Sequence, residues 1–551
     1  MTVKVDARPA GETDGARAAR DAEGARPATA ETGAPAAGDD MRARLAQVQA
    51  AKRAVGDEAR AEALARQRAR GKLTARERIA ALADPGSFVE AGALVRPRDQ
   101  PDAPGDGVVT GSARIGGQPV SLVANDFSVM GGSSGEAGAK KTLRQTQASL
   151  DHGIPYVSLL DGGGHRIQEG LDSRHFAAVA TNFQQLVDLS GWAPICAAMM
   201  GSGFAGPSNM SALADFVVMV RGATMGIAGP ALVKAATGED IDKEALGGAA
   251  AQADRHGIAD LAVDSDAEAL DAIRRFLSYF PSNAAEAPPI QPCDDPADRR
   301  DEALLDLVPA NTRRAYDVRK VLAAVADEGS LFELKPGYAR NVVTSLARLG
   351  GRPVGVIANQ PLHLAGTLDS PACEKAAHFI ALCDAFGLPL VFFVDIPGFL
   401  VGSPAERSGL VRRSARIIHE LGKATVPRLS VVLRKGYGLG FIAMNGGRSF
   451  GADLTVAWPS AEICAMSIEG ATDVAFGREI AAAPDPAARR AELIAGFRAR
   501  VGPLEAAEGF GVDDLIDPRD TRPVLVEALS RLAPRRRGRA RPPKHRDISP
   551  I

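Results

Sequence analysis

The sequence contains two copies of one segment, and this internal duplication restricts what the chain can fold into. Residues 108–125 read VVTGSARIGGQPVSLVAN, and residues 342–359 read VVTSLARLGGRPVGVIAN. Aligned without gaps at an offset of 234, eleven of these eighteen positions are identical. The same offset places Asp161 on Asp395, well downstream of the matching segment. A register kept over such a span indicates a repeated structural unit. We therefore predict two copies of one fold.

A further match lies upstream of each copy. DPGSFVE at 84–90 corresponds to DEGSLFE at 327–333 after a slip of nine residues. Apolar, β-branched runs in each copy alternate with stretches of helical character. We predict strands at 120–126, 156–161 and 195–200 in the first copy, and at 354–359, 390–395 and 428–434 in the second. We predict helices at 135–151, 171–189, 372–386 and 407–424. Fully apolar strands separated by helices favour a layered α/β fold with largely parallel strands.

Composition suggests where the domains begin and end. Residues 1–40 contain no aromatic residue, Leu or Ile, so we expect a disordered N-terminal tail. Residues 41–284 form the first predicted domain, which begins with helix from Met41 to about Ala83, ending before Asp84-Pro85-Gly86. The Pro- and Asp-rich segment 285–300 is the predicted linker, and residues 301–551 form the second domain.

Charge and cysteine content exclude several classes of protein. The 65 Lys and Arg residues nearly balance the 67 Asp and Glu residues, so we expect no nucleic-acid partner for the whole chain. No apolar run is long enough for a membrane span, and no secretion signal is evident. The five cysteines and eight histidines lack metal-ligand spacing, so we expect no metal site. Reduced thiols are typical of a cytoplasmic protein.

Three glycine-rich turns follow predicted strands in the first copy. GSGFAG at 201–206 satisfies the dinucleotide-binding pattern, but the next strand begins too soon for the helix that this motif requires. GGSSG at 131–135 satisfies the nucleophile-elbow pattern of serine hydrolases, with Ser133 as nucleophile. The matching segment 363–369 of the second copy has no serine. A ligand-lining or structural turn is therefore favoured over a serine hydrolase, which stays an alternative.

The third turn and the duplication together point to oxyanion binding. DGGGHRIQEG at 161–170 has three consecutive glycines, which suit a backbone that closely approaches a ligand. At the offset of 234, the dipeptide Ala205-Gly206 falls on Leu439-Gly440, and both follow a predicted strand and precede a predicted helix. Backbone amides at such positions can bind an oxyanion. We expect one such site in each copy, without a side-chain base or nucleophile.

Several motifs, in a fixed order, link the sequence to a known family. They include RGKLTARERIAALADPGSFVE, GGSSGE, GGGHRIQEG, TGEDIDKEALGGA, FVDIPGF and the closing RPPKH. Over residues 71–551 the sequence resembles the carboxyltransferase (β) subunits of biotin-dependent acyl-CoA carboxylases, most closely the propionyl-CoA carboxylase β chain. The resemblance implies tandem duplicated crotonase-like domains, the first on the acyl-CoA side and the second on the biotin side.

The family implies a role for each candidate residue. The amides of Ala205 and Gly206 would hold the thioester enolate of an acyl-CoA, and those of Leu439 and Gly440 the ureido oxygen of carboxybiotin. The implied acyl-CoA-binding residues are Gly131, Gly132, Ser133, Gly163, Gly164 and His165. The implied biotin-binding residues are Gly398, Phe399, Gly438, Phe441 and Ile442.

The resemblance also implies partners. Biotin would arrive on the carrier domain of a separate biotin carboxylase/biotin carrier α subunit, since no biotin-acceptor motif is present in this sequence. The family is commonly hexameric, and its active sites join the first half of one subunit to the second half of another. A decarboxylase or transcarboxylase with the same site, and a noncatalytic scaffold that keeps the fold, are the alternatives.

Four short segments depart from the family pattern. The first dipeptide is Ala-Gly where Gly-Gly is usual, and the second is Leu-Gly where Gly-Ala is usual. His165 stands where alanine is common, and Phe441-Ile442 replaces Tyr-Asp. Neither dipeptide change removes an amide, but we expect Leu439 to crowd the biotin and Phe441-Ile442 to alter acyl-chain specificity.

Overall fold

The structure is a computed structural model that describes residues 40–97, 103–133, 135–177 and 181–535. The predicted disordered tail therefore lies outside the described residues, except for Asp40. The chain divides into two compact units, residues 1–51 and residues 52–551. The first is described only over residues 40–51, which are helical from Met41. No described helix is both long and apolar enough to cross a bilayer.

Each sequence copy forms its own sheet within the second unit. The first sheet has the strand order β1-β2-β3-β4-β5-β7-β9, and a two-stranded sheet, β6-β8, lies outside it. The strands are β1 Val89–Ala91, β2 Val108–Ile115, β3 Gln118–Asn125, β4 Tyr156–Leu160, β5 Ile195–Met199, β6 Ser202–Phe204, β7 Phe216–Val220, β8 Thr224–Gly226 and β9 Leu261–Val263. From β3 onward every pairing is parallel, whereas β1-β2 and β2-β3 are antiparallel.

The second sheet repeats this order as β10-β11-β12-β13-β14-β15-β17, with β16 paired to the end of β14. Its strands are β10 Phe332–Leu334, β11 Val342–Leu349, β12 Arg352–Asn359, β13 Leu390–Ile396, β14 Arg428–Tyr437, β15 Leu454–Ala457, β16 Glu462–Cys464 and β17 Asp514–Leu515. The predicted α/β class with duplicated, largely parallel sheets is confirmed. The exact domain and linker boundaries stay predictions.

Helices cover these sheets. The α-helices before residue 285 are α1 Met41–Val55, α2 Ala61–Arg68, α3 Ala75–Leu82, α4 Glu136–His152, α5 Ile167–Gly170, α6 Ser173–Phe176, α7 Phe183–Leu189, α8 Gly206–Ala212, α9 Pro230–Thr237, α10 Lys243–Gly247 and α11 Asp266–Leu277. Those that follow are α12 Leu304–Leu307, α13 Val318–Val325, α14 Ser370–Ala385, α15 Ser403–Arg407, α16 Leu410–Lys423, α17 Gly438–Ala443, α18 Ile468–Ala482, α19 Pro486–Arg498, α20 Pro503–Glu508 and α21 Thr521–Arg531.

Three predicted helices are broken, and glycine or capping explains two of the breaks. The segment 41–83 is not one helix, because Gly71 has a positive φ of 74° and Thr74 begins α3 with a capping box. The helix predicted at 407–424 is interrupted by Gly409, whose φ is 71°. The stretch 171–189 contains α6 and α7, and the described residues between them are not helical.

The duplication is visible in hydrogen bonds as well as in strand order. Asp84 accepts from the amides of Gly116 and Gly117 at 2.8 and 2.7 Å, which holds the turn between β2 and β3. Asp327 accepts from Gly350 and Gly351 at 2.9 and 2.7 Å in the second copy. These aspartates begin the two DxGS segments matched in the sequence. The match therefore reflects a hairpin turn that both copies share.

The same repetition holds for two buried lysines. Lys141, on α4, donates to the carbonyls of Gly105 and Val108. Its counterpart Lys375, on α14, donates to three carbonyls, including that of Val342 at 2.8 Å. Burial lowers the pKa of Lys141 to about 8 and that of Lys375 to about 7. In both halves an ammonium group therefore ties a helix to the start of the adjacent hairpin.

One hydrophobic core joins the two halves of the second unit. Phe216 and Phe276 from the first half stack with ring centroids 4.6 Å apart, and Phe216 also lies 5.9 Å from Phe332 of the second half. Phe280 lies 4.4 Å from Phe276 and 5.4 Å from Phe386. The halves are thus packed together through aromatic residues rather than joined only by the connecting segment.

We expect Phe276→Ala to lower the free energy of unfolding by about 3–5 kcal/mol, because it removes a fully buried ring from this shared core. The matched control is Phe510→Ala, since Phe510 is 66 % exposed and contacts Arg448 at the surface. That change should cost less than about 1 kcal/mol. Urea titration followed by circular dichroism measures both values, and equal losses would contradict the shared core.

Candidate functional site

Two glycine turns of the first half lie against each other. A Cβ atom on Gly162 would lie 2.2 Å from the carbonyl oxygen of Gly132, so neither backbone leaves space for a side chain there. The amide of Gly163 donates to the carbonyl of Gly131 at 3.3 Å. The structure thus brings together the predicted acyl-CoA residues of 131–133 and 163–164.

The turn at residues 204–207, at the end of GSGFAG, lies against the same two turns. Gly164 has a φ of 80°, and a Cβ there would lie 3.3 Å from Pro207 Cδ and 3.4 Å from the Phe204 carbonyl oxygen. The turn 204–207 connects the short strand β6 to α8. All three glycine-rich turns noted in the sequence therefore meet at the carboxyl ends of β4 and β5, where ligands bind in parallel sheets.

The two residues of the first dipeptide differ in what their amides do. Ala205 has φ 60° and ψ −123°, a backbone conformation that costs an L-residue about 1–3 kcal/mol. Its amide donates to the Gly226 carbonyl at 2.9 Å. The amides of Gly206 and Gly164 have no acceptor among the described residues. Only Gly206 of the predicted dipeptide therefore has an amide available for a ligand.

Ser133 and His165 do not form a hydrolytic pair. Ser133 Oγ donates to the Met130 carbonyl at 2.8 Å, and no described histidine side chain bonds to it. The His165 ring lies edge-on to Phe176 at 6.0 Å, with its Nε2 atom buried and unbonded among the described residues. The geometry therefore does not support a serine hydrolase centred on Ser133.

A buried ion pair supports the turn that contains Ser133. Arg166, 1 % exposed, pairs with Asp106 at 2.5 Å and with Glu169 at 2.8 Å. It also donates to the Ser133 carbonyl at 3.2 Å. Arg166 belongs to the GGGHRIQEG motif, but the sequence did not indicate that its partner is Asp106.

The second half repeats the arrangement. Gly440 is buried, and a Cβ there would lie 2.8 Å from Ile396 Cδ1 and 3.0 Å from Gly398 Cα. The Gly398 carbonyl accepts from the amide of Leu368 at 3.2 Å, which joins the two neighbouring turns. The amides of Leu439 and Gly440 have no acceptor among the described residues. The Leu439 side chain is 51 % exposed.

The other predicted biotin-side residues occupy different environments. Gly438 has a φ of 59° and begins α17, while Ile442 is half-buried on that helix. Phe399 is partly buried against the main core. The Phe441 ring is 9 % exposed and packs over Gly436 and Gly446. Phe441 therefore faces the core.

The strand register shifts the correspondence between the two dipeptides by one residue. Phe204 pairs with Gly226 across β6-β8, and Tyr437 pairs with Cys464 across β14-β16. The positive-φ residue that follows is Ala205 in the first half and Gly438 in the second. Gly206 therefore corresponds to Leu439, not to Gly440. The constant offset of 234 fails here because the connection from β13 to β14 is one residue shorter than that from β4 to β5.

A buried carboxylate lies beneath each site. Asp395, fully buried at the end of β13, pairs with Arg434 Nη2 at 2.9 Å and accepts from the Lys435 amide at 3.1 Å. Burial lowers the pKa of Lys435, opposed by the attraction of Asp395. Asp161, the counterpart in the first half, pairs with Lys72 at 3.2 Å and with Arg78 at 2.9 Å. The sequence paired the aspartates but did not indicate their cations.

A tyrosine–glutamate pair lies beside the second-half turn. Tyr437 Oη donates to Glu462 at 2.7 Å. Burial, reinforced by this carboxylate, raises the pKa of Tyr437 well above its usual value. The phenol therefore stays protonated at neutral pH and holds β14 to β16 where the turn begins. No cluster of metal-ligating side chains occurs in the described part of the chain.

Comparison with known proteins identifies a matching family. Residues 66–548 match the profile of the family described as the carboxyl transferase domain. The chain belongs to the carboxyl transferase family. It is 44 % identical over 478 residues to the methylmalonyl-CoA carboxyltransferase 12S subunit of Propionibacterium freudenreichii subsp. shermanii, an alignment covering 85 % of this chain and 90 % of that one. It is 39 % identical over 471 residues to the propionyl-CoA carboxylase beta chain of Roseobacter denitrificans, covering 84 % and 91 %.

A solved structure shares the fold of this family member. The crystal structure of transcarboxylase 12S, a hexamer with methylmalonyl-coenzyme A and methylmalonic acid bound, superposes with a TM-score of 0.87 and 40 % identity. The match covers 93 % of this chain and 99 % of that chain. The resemblance to carboxyltransferase subunits inferred from the sequence is confirmed, as is the crotonase-like fold.

We expect Asp395→Asn to lower the free energy of unfolding by about 3–5 kcal/mol, because it leaves the Arg434 guanidinium buried without its counter-charge. Asp264→Asn is the matched control. It removes an exposed partner of Arg221 and should cost less than about 1 kcal/mol. Denaturant unfolding of both variants gives the comparison. A loss at Asp395 no greater than the control would show that this pair does not stabilise the second half.

Proposed function

We propose that this chain is the carboxyltransferase subunit of a biotin-dependent enzyme that moves CO2 from carboxybiotin to the α-carbon of an acyl-CoA. One observation carries the proposal. Each half of this carboxyl transferase family member ends a central strand in the same type of turn, with amides at Gly206 and Leu439 that have no acceptor among the described residues. Two such turns suit two carbonyl-type oxygens, one on each reaction partner.

On the acyl-CoA side, the amides of Gly206 and Gly164 would hold the thioester oxygen. Negative charge develops on this oxygen when the α-carbon becomes an enolate, and fixed donors stabilise that charge without rearranging. Gly131, Gly132, Ser133, Gly163 and His165 would line the path of the acyl-CoA. Ala205 contributes the turn conformation rather than a donor, since its amide is already bonded to Gly226.

On the biotin side, the amides of Leu439 and Gly440 would hold the ureido oxygen. Carboxybiotin held there on a carrier partner would supply the CO2 and, through its ring nitrogen, a base. The turn suits a carbonyl acceptor because Gly438 provides the positive φ and a side chain at Gly440 would collide with the backbone of Gly398. The Leu439 side chain is 51 % exposed rather than packed inside the turn, and the crowding of biotin expected from the sequence stays a prediction.

Both halves carry exposed apolar side chains that assembly of several copies would cover. Ile227 and Leu232 of the first half are 76 % and 61 % exposed. Val401, Met466 and Val474 of the second half are 86 %, 50 % and 83 % exposed. Exposed apolar side chains mark an interface where they form one contiguous patch. We propose a hexamer, as in the related 12S structure, in which the first half of one subunit faces the second half of another.

We propose propionyl-CoA as the first acyl substrate to test, because the related proteins act on propionyl-CoA or methylmalonyl-CoA. The Phe441 ring faces the core, which weakens the reason to expect altered specificity from that position. A cytoplasmic location, supported by five free thiols, is part of the same proposal. Measuring carboxylation and decarboxylation rates over a panel of acyl-CoAs would distinguish a carboxylase from a decarboxylase.

We expect Gly206→Pro to lower carboxyl transfer by about 10²–10³-fold, because it deletes one donor to the enolate oxygen. Residue 206 is the first residue of α8, where helices accept proline, and a Cβ there has no neighbour within 4 Å. Circular dichroism first checks that the variant folds, because the preceding Ala205 does not have the extended backbone that proline favours. Gly206→Ala keeps the amide and is the matched control. A folded proline variant as active as the alanine variant would exclude this amide.

A mixing experiment tests whether two subunits share a site. Gly206→Pro inactivates the first half of a subunit, and Leu439→Pro inactivates the second half. A pair made of one variant of each kind has an intact site only if a site combines halves of different subunits. Co-expression of the two variants should then restore about a quarter of wild-type carboxyl transfer, given random pairing in a symmetric assembly. Each variant alone should stay inactive. Failure of the mixture to recover activity would place both halves of the site in one subunit.

A further inference from the structure

The ammonium group of Lys72 lies where the two first-half turns begin. Its Nζ atom lies 3.2 and 3.3 Å from the carboxylate oxygens of Asp161 and 2.6 Å from the Met200 carbonyl. Asp161 directly follows β4, and Met200 directly follows β5, the neighbouring parallel strand. One side chain therefore bridges the carboxyl ends of the two strands that lead to Gly164 and Gly206.

The surroundings restrict where Lys72 can go. The next residue, Leu73, donates its amide to Asp266 at 3.0 Å. Arg78, on α3, joins Asp266 at 2.8 Å to Asp161 at 2.9 Å. The buried carboxylates of Asp161 and Asp266 thus bind both cations and hold the segment 72–78 against the site. Lys72 is 32 % exposed, whereas Arg78 is completely buried.

In the second half, the buried aspartate pairs with a residue of the neighbouring strand. Asp395 is paired with Arg434 on β14. By the strand register, the first-half residue that corresponds to Arg434 is Gly201. A Cβ on Gly201 would lie 1.7 Å from Asp161 Oδ1 and 3.0 Å from Lys72 Nζ. The first half has no space for a side chain at that position, and the Lys72 ammonium lies beside it instead.

We propose that Lys72 is a positioning residue for acyl-CoA carboxyl transfer, which sets the distance between the Gly164 and Gly206 turns through its contacts with Asp161 and Met200. The inference rests on the proposed function, because it concerns the donors to the thioester oxygen. Both turns must present their amides to one oxygen atom, and a displacement of about 1 Å can lower a rate about 10²-fold. Lys72 acts through the turns and does not touch the substrate.

The test compares wild-type protein with Lys72→Met, Lys72→Gln and Lys72→Arg, each as the full assembled chain. The assay follows decarboxylation of methylmalonyl-CoA with free biotin as acceptor. In that reaction the α-carbon loses its carboxylate to the biotin ring nitrogen and takes the proton from that nitrogen. Each variant is also measured for its dissociation constant for propionyl-CoA and its midpoint of thermal unfolding.

Arg299→Met is the matched control. Arg299 pairs with Asp295 at 2.7 Å, donates to the Ala324 carbonyl at 2.7 Å, and is 28 % exposed. It resembles Lys72 in geometry but lies on no turn of the site. Its loss should lower the unfolding midpoint and leave kcat within twofold of wild type.

We expect Lys72→Met to lower kcat by about 10–100-fold while the dissociation constant for propionyl-CoA stays within about threefold. Lys72→Arg should recover part of the loss, and Lys72→Gln, which can bond Met200 but carries no charge, should fall between them. A kcat unchanged in all folded variants would overturn the proposal, as would a weaker affinity for propionyl-CoA at unchanged kcat. A wild-type protein that transfers no carboxyl group would instead refute the proposed function itself.

Discussion

The structure depends on an aspartate placed at the carboxyl end of one central strand in each half. Asp161 and Asp395 are both fully buried, and each lies where β4 or β13 gives way to a glycine turn. A buried carboxylate needs cations and hydrogen-bond donors around it. Meeting that need brings neighbouring segments together at the place where the backbone amides are exposed. The charge pairs of Asp161 and Asp395 thus lie at the start of the turns that carry the amides of Gly206 and Leu439.

The two halves meet the same requirement in different ways. Arg434 and Lys435 belong to the strand next to Asp395, so the second half is complete in itself. The first half takes its cations from Lys72 and Arg78, which precede its sheet in the chain. After the duplication, one fold thus kept its carboxylates while the sources of positive charge diverged. The two halves also differ in the residue at the corresponding turn position. Ala205 and Gly438 both have a positive φ, which glycine adopts without strain.

Much of the fold could be predicted because the relevant signals are local. Apolar β-branched runs placed the central strands, and the repeated glycines placed the turns that follow them. The aspartates of the two DxGS segments were visible as a match between copies, and each indeed holds a glycine pair. The helices were less certain, because a single residue such as Gly71 or Gly409 can end a helix within an otherwise suitable composition.

The sequence by itself determined that the chain is a duplicated α/β protein of the carboxyltransferase type, and it named the turns that are candidates for the site. Only the tertiary structure decided which amides are available, since the Ala205 amide is bonded to a residue of another strand. It also decided that Gly206 corresponds to Leu439, that the Phe441 ring faces the core, and that Lys72 reaches Asp161. Each of these depends on contacts between residues far apart in the chain, and a linear pattern does not specify such contacts.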